Sequence, residues 1–312
     1  MRLHENTKLF SDTIRAASQN FGIKQEFIEK DYWITIVLSR LAKSDYFDKS
    51  VFKGGTSLSK GFNLIDRFSE DVDIALIDDK LKTGNEIKTI IRNIEKGITQ
   101  DLREIEMSGV TSKGSRFRKS VFEYIPTDKN NRNNKLIVEV NSFANPFPFQ
   151  ELPIKSFVFD FLIQTENAKY ITEYNLQPFK LNVLNKVQTL MEKLASLIRF
   201  SFSEIPAESI SGKIRHFYDL FFLMQNSECA EFYTSDTFKT GFDEILQHDR
   251  VQFDEPLGWQ NKSVAESPLV NNFEAIWKIL KIKYQSELSA LAYRPIPDEE
   301  RVAEVFQALT AG

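Results

Sequence analysis

A glycine pair and an aspartate pair, set one short helix apart, constrain this chain more than any other feature. Phe52-Lys53-Gly54-Gly55-Thr56-Ser57-Leu58-Ser59-Lys60 reads as a glycine–hydroxyl turn opening a short helix, and Asp71-Val72-Asp73-Ile74-Ala75-Leu76 as a strand. The first turn of a helix presents amide donors that suit phosphate, here Gly54, Gly55, Thr56 and Ser57. Residues at i and i+2 on a strand share a face, so Asp71 and Asp73 together suit a hard divalent cation such as Mg²⁺. A phosphate cradle beside a Mg²⁺ site is the minimum equipment for phosphoryl or nucleotidyl transfer. The plainer alternative is a solvent-facing pair at a strand start. Aspartate disfavours strands, however, and two of them there need a reason.

The periodicity around this pair points to an α+β chain. Residues 8–43 carry apolar side chains at helical spacing, and residues 85–108 do the same with Ile87, Ile90, Ile91, Ile94 and Ile98. Residues 117–125 and 136–143 read as a hairpin across a polar loop, and 156–162 as a further strand. From about residue 181 the pattern is helical, ending in a short helix over 298–309 introduced by Pro295 and Pro297. We expect a first domain over 1–170 and a helical second one over 171–312. The 27 phenylalanines belong largely in cores, because a surface carrying them would be a large apolar patch. One cysteine, Cys229, excludes an internal disulfide and a Cys-based zinc knuckle, which fits a cytoplasmic protein. No apolar run is long enough for a membrane span. A net charge of −4 excludes a uniformly basic nucleic-acid binder but not a local basic groove.

Four further places carry candidate chemistry. Glu139 sits in the apolar run Leu136-Ile137-Val138-Glu139-Val140. It is either a glutamate on the solvent face of an edge strand, paired with a nearby lysine, or, if that strand lies beside 72–77, a third carboxylate on the Asp71/Asp73 face. Three carboxylates would suit two Mg²⁺ ions bridging a triphosphate. Lys193 lies on the polar side of an apolar-striped helix, and Arg215 and Asp219 stand at i and i+4, where a surface ion pair would explain them. Lys113, Arg116, Arg118 and Lys119 form a basic cluster around Phe117 that could track an RNA backbone or be a solvated hairpin edge.

Taken in order, these pieces resemble the AbiEii/AbiGii toxin family of nucleotidyltransferases, which includes the MenT-type toxins and shares the DNA polymerase β-like fold. The resemblance begins at Phe27-Ile28-Glu29-Lys30-Asp31-Tyr32-Trp33, is densest from Phe52 to Leu76, and continues through Leu190–Arg199 and Arg215–Leu220. Gly55-Thr56 and Asp71-Val72-Asp73 match its first motif, and Glu139 takes the place of its third acidic residue, which is usually aspartate. Glu192-Lys193-Leu194-Ala195-Ser196-Leu197 and Arg215-His216-Phe217-Tyr218-Asp219-Leu220 match the later two. The resemblance implies that Lys193 contacts the nucleoside triphosphate and that Asp219 completes the active site. It further implies a toxin with a cognate antitoxin, which moves NMP from an NTP to an acceptor hydroxyl at the 3′ end of tRNA.

Two alternatives stay beside this reading: a non-catalytic interaction protein on the same fold, and a nucleotidyltransferase that modifies protein. A haloacid-dehalogenase-like phosphatase is disfavoured, because its Asp-x-Asp follows an apolar strand, whereas here the apolar strand follows the aspartates. No His-Arg-Asp or Asp-Phe-Gly set suggests a protein kinase.

Overall fold

The computed structural model describes residues 2–77 and 83–311. Two compact units divide them: Met1–Asn63 with Phe68–Leu184, and Leu64–Arg67 with Asn185–Gly312.

The first unit opens with helices α1 (Thr7–Phe21) and α2 (Gln25–Ala42), separated where Gly22 turns left-handed at φ +67°. Strand β1 (Ser50–Lys53) runs straight into α3 (Gly54–Lys60), and β2 (Asp71–Leu76) follows. Helix α4 (Gly84–Ile98) starts on a capping box between Thr83 and Glu86. It stops well short of 108: Arg103–Ile105 is strand β3, which pairs with β5. Strands β4 (Ser112–Lys113), β5 (Phe117–Glu123) and β6 (Lys135–Asn141) come next, with β5 and β6 forming the expected hairpin. Strand β7 (Phe149–Ile154) precedes α5 (Phe157–Gln164), so the strand expected over 156–162 is a helix. Ser156 caps it, accepting from the Phe159 amide at 3.1 Å. Helix α6 (Lys169–Glu173) and strand β8 (Phe179–Leu184) complete the unit.

Among the described residues the strands form one mixed eight-stranded sheet, ordered β3-β5-β6-β2-β1-β8-β7 with β4 paired to β5. Val72, Ile74 and Leu76 on β2 and Leu136, Val138 and Val140 on β6 are buried, on the side where α2 and α4 pack. Alternation puts Asp71, Asp73, Ile137 and Glu139 on the other face. The core on one side thus leaves the opposite face of the same strands for chemistry.

The second unit is helical: α7 (Lys186–Phe200), α8 (Pro206–Ser211), α9 (Arg215–Gln225), α10 (Ser227–Tyr233), α11 (Asp236–Gln252), α12 (Pro268–Asn271), α13 (Phe273–Leu291) and α14 (Glu299–Ala311). Its core is aromatic. Phe217 lies 5.1 Å from Trp277 and 4.8 Å from Phe306, ring centre to ring centre. The segment Leu64–Arg67 is held in this unit by Tyr293, which donates its amide to the Asp66 carbonyl and its hydroxyl to the Ile65 carbonyl. Among the described residues no helix is long and apolar enough to cross a membrane.

Candidate active site

Gly54 joins β1 to α3, and its backbone explains why glycine stands there. Its φ is +80°, which side chains disfavour, and a Cβ added to it would lie 2.1 Å from Asp73 Oδ2. The turn is therefore packed directly on the Asp73 carboxylate. Thr56 tightens the junction by donating its hydroxyl to the Asp71 carbonyl. Ser57, expected to reach phosphate, is fully buried and donates to the Gly54 carbonyl at 2.8 Å. Its hydroxyl belongs to the turn. The donors left for an anion are the main-chain amides of the first turn of α3, which have no acceptor within the helix.

Four strands contribute one charged residue each at matching register. Lys53 on β1 faces Asp73 on β2, Asp73 faces Glu139 on β6, and Glu139 faces Lys119 on β5. Directly opposed residues share a face, so a cation, two carboxylates and a cation run in line across the sheet, with Asp71 beside them. Strand β6 is central, between β5 and β2, rather than at an edge. Lys119 Nζ stands 3.5 Å from Glu139 Oε2. A lysine partner for Glu139 is one of the two expectations; that it is Lys119 depends on cross-strand register, which is not a local signal.

Crowded negative charge sets the electrostatics. Burial, then Glu139, then Asp71, push the Asp73 pKa well above the usual carboxylate range, and Lys53 and Lys119 offset this only in part. For Lys119 burial works against the charged form, but Glu139, Asp71 and Asp73 outweigh it and hold the ammonium above its ordinary value. Among the described residues no three His, Cys, Asp or Glu side chains close into a ready-made metal cage. Mg²⁺ does not require one; it is held by one or two carboxylates, with water and substrate phosphates filling the other positions. Asp71 and Asp73, with Glu139 alongside, fit that pattern, as oxygen donors in excess negative charge suit a hard cation.

The raised Asp73 pKa makes this carboxylate a cost to the fold at neutral pH. A group whose pKa is higher folded than unfolded favours the fold at low pH, and that contribution is lost as pH rises through the folded value. At neutral pH and without metal, Asp73→Asn is therefore expected to raise the melting temperature by a few degrees, at about 2–4 °C per kcal/mol. Adding Mg²⁺ should narrow the gap by stabilising only the wild type. Equal melting curves without metal would show that Asp73 is not strained by its neighbours.

The second unit holds the other two candidates together. Asp219 is fully buried, and both of its oxygens accept from Arg67, through Nε and Nη2 at 2.7 Å each. Lys193 Nζ lies 2.8 Å from Asp219 Oδ2. Burial would raise the Asp219 pKa, but Arg67 and Lys193 overcome it and hold the carboxyl well below the usual range. Arg215, expected to pair with Asp219, instead meets Glu287 at 2.7 Å. Lys193, expected on a polar helix side, is buried. Burial, followed by Lys193 and Lys213, keeps the neighbouring His216 neutral, with its pKa well below the ordinary histidine value. Asp219 is thus an anchor for two cations, with its oxygens already engaged. Arg67 went unnoticed in the sequence because its partner lies 152 residues away.

A family model for the AbiEii nucleotidyl transferase toxin of type IV toxin–antitoxin systems matches residues 36–308. The chain belongs to that family. No curated protein matches its sequence. Among solved structures, MenT4, a nucleotidyltransferase toxin from Mycobacterium tuberculosis H37Rv, is 16% identical with a TM-score of 0.42, covering 96% of this chain and 98% of its own. An antigenic nucleotidyltransferase-like protein from Paracoccidioides brasiliensis is 17% identical with a TM-score of 0.33, covering 69% and 87%.

The basic cluster does not form one surface. Lys113 pairs with Glu104 at 2.7 Å, and Arg116 donates to the Ser142 hydroxyl and carbonyl. Arg118 turns to the helix-covered face, where its Nε meets the buried Glu95 at 2.7 Å, joined there by the Ser120 hydroxyl. Lys119 belongs to the charged row. Adjacent residues on a strand point to opposite faces, so Arg118 and Lys119 cannot serve one groove.

Proposed function

We propose that this protein is a Mg²⁺-dependent transferase that moves a nucleoside monophosphate from an NTP to an acceptor hydroxyl, with the 3′ end of tRNA as acceptor. The observation that carries this reading is the Asp73 carboxylate lodged between the Gly54 turn and Glu139. Bound Mg²⁺ would supply the charge that an in-line displacement needs at the reacting phosphate and the departing pyrophosphate. Asp71 and Asp73 would hold it, with Glu139 beside them. The amides of Gly55 and Thr56 take phosphate oxygens. Glu139, steadied by Lys119, accepts the proton of the attacking hydroxyl. Lys193 offers a compact cation for triphosphate charge, kept in place by Asp219. Membership of a toxin–antitoxin family supports a cognate antitoxin as partner.

The test incubates purified protein with Mg²⁺, total tRNA and each α-labelled NTP in turn, beside an Asp71→Ala/Asp73→Ala variant. Label should enter RNA with the wild type, and the variant should lose at least about a thousandfold, as when the metal-holding charges of a transferase are removed. Label on protein would replace the RNA acceptor with a protein hydroxyl. No label with any NTP would sink the transferase reading.

A further inference from the structure

Helix α2 carries Glu29, Lys30 and Asp31 in succession, and all three are buried. Burying charge is costly unless each group is paired, and here each is paired to a different segment. Glu29 accepts from the Thr127 amide at 2.7 Å and from its hydroxyl at 3.0 Å. Lys30 donates to Glu70 at 2.9 Å and to Asn133 at 2.6 Å. Asp31 takes Lys60 on one oxygen at 2.5 Å and the Phe157 amide on the other at 2.9 Å.

The partners of Lys30 and Asp31 are not scattered. Lys60 is the last residue of α3, and Glu70 immediately precedes β2. They bound residues 61–69, the link between the glycine turn and the aspartate pair. Near its end, Phe68 stacks on Phe27 with ring centres 4.8 Å apart and planes 3° from parallel, and Lys30 Nζ lies 5.7 Å from the Phe68 ring centre. Phe27, Lys30 and Asp31 stand at i, i+3 and i+4, so one stripe of α2 meets the whole set.

We infer that Lys30 and Asp31 are positioning residues for the transfer: they fix both ends of the link so that the Gly54 turn and Asp73 keep their close packing. This rests on the proposed transferase reading. Buried ion pairs are poor sources of stability compared with apolar packing, so a stripe of them is better explained by the geometry it imposes. A displacement of about 1 Å between catalytic groups is enough to cost on the order of a hundredfold in rate.

The experiment compares Lys30→Met, Glu70→Gln, their double variant and Asp31→Asn with the wild type. Two readouts are taken: kcat and KM of transfer, and hydrogen exchange by mass spectrometry over residues 54–76. The expected result is a kcat lower by about tenfold or more, with the NTP KM changed by less than about twofold. The double variant should be no slower than Lys30→Met, as for two partners of one contact. Exchange should quicken over 54–76 while peptides from α7 and α13 stay as they were. Unchanged kcat and exchange would overturn the inference. So would a uniform rise in exchange across all peptides, which a merely structural role predicts. Should Lys30→Met fail to fold, Glu70→Gln carries the comparison, because that carboxylate is the more exposed partner. Should the wild type transfer nothing, the reaction is wrong, and the exchange data alone decide whether α2 holds the link.

Discussion

Gly54→Ala is expected to abolish transfer in a protein that remains folded. The added Cβ would sit 2.1 Å from Asp73 Oδ2 and 3.0 Å from its Cγ, far inside van der Waals contact. The backbone cannot relieve the overlap cheaply, since φ +80° already disfavours a side chain by about 1 kcal/mol. Either the turn or the carboxylate must move, and both belong to the proposed site. We expect a loss of at least about a hundredfold in kcat, as misplacement on the ångström scale produces. Gly97→Ala makes the control. It lies in α4 with nothing within 4 Å of its added Cβ, so it should keep full activity and gain up to about 1 kcal/mol of stability. Wild-type turnover from Gly54→Ala would mean that the contact between turn and carboxylate has no part in the chemistry.

The largest stability effect is expected from Asp219→Ala. Removing this carboxylate leaves Arg67 and Lys193 buried without it, and breaking a buried pair from one side costs about 3–5 kcal/mol. The melting temperature should fall by roughly ten degrees at about 2–4 °C per kcal/mol. Adding Lys193→Met should return part of the loss, because it removes one of the stranded cations. The pH dependence runs opposite to that of Asp73. The Asp219 pKa is depressed on folding, so its contribution is fully present above the ordinary carboxylate value and drains away as pH falls below about 4. A wild-type melting curve for Asp219→Ala would mean that its two partners find other counter-charges.

What could be read in the sequence was local. The glycine turn and Asp71-x-Asp73 declare themselves within twenty residues, and the β5–β6 hairpin is marked by its polar loop. The errors came where local signals are ambiguous. The run Phe157-Val158-Phe159-Asp160-Phe161-Leu162 is apolar enough for a buried strand, and only the Ser156 cap tips it to a helix. Strand β7 was missed because it holds Pro153, which is tolerated since β7 lies at the sheet edge. Roles that depend on register or on distant partners were out of reach. Spacing alone leaves Lys119 between an RNA contact and a solvated hairpin edge, and gives Asp219 only a surface ion pair with Arg215; the Glu139 register and the Arg67 contact lie outside any local window.

Leu64–Arg67 belongs to the helical unit although it is encoded in the midst of the first. These four residues leave the ribosome with the first unit, but the carboxylate that receives Arg67 is encoded 152 residues later. At about 5–20 residues per second, the guanidinium waits roughly ten to thirty seconds for its partner. Until then Arg67, buried in the finished protein, lacks the Asp219 carboxylate that accepts from its Nε and Nη2. The stretch leading into Asp71 therefore reaches its final state only after translation has passed residue 219.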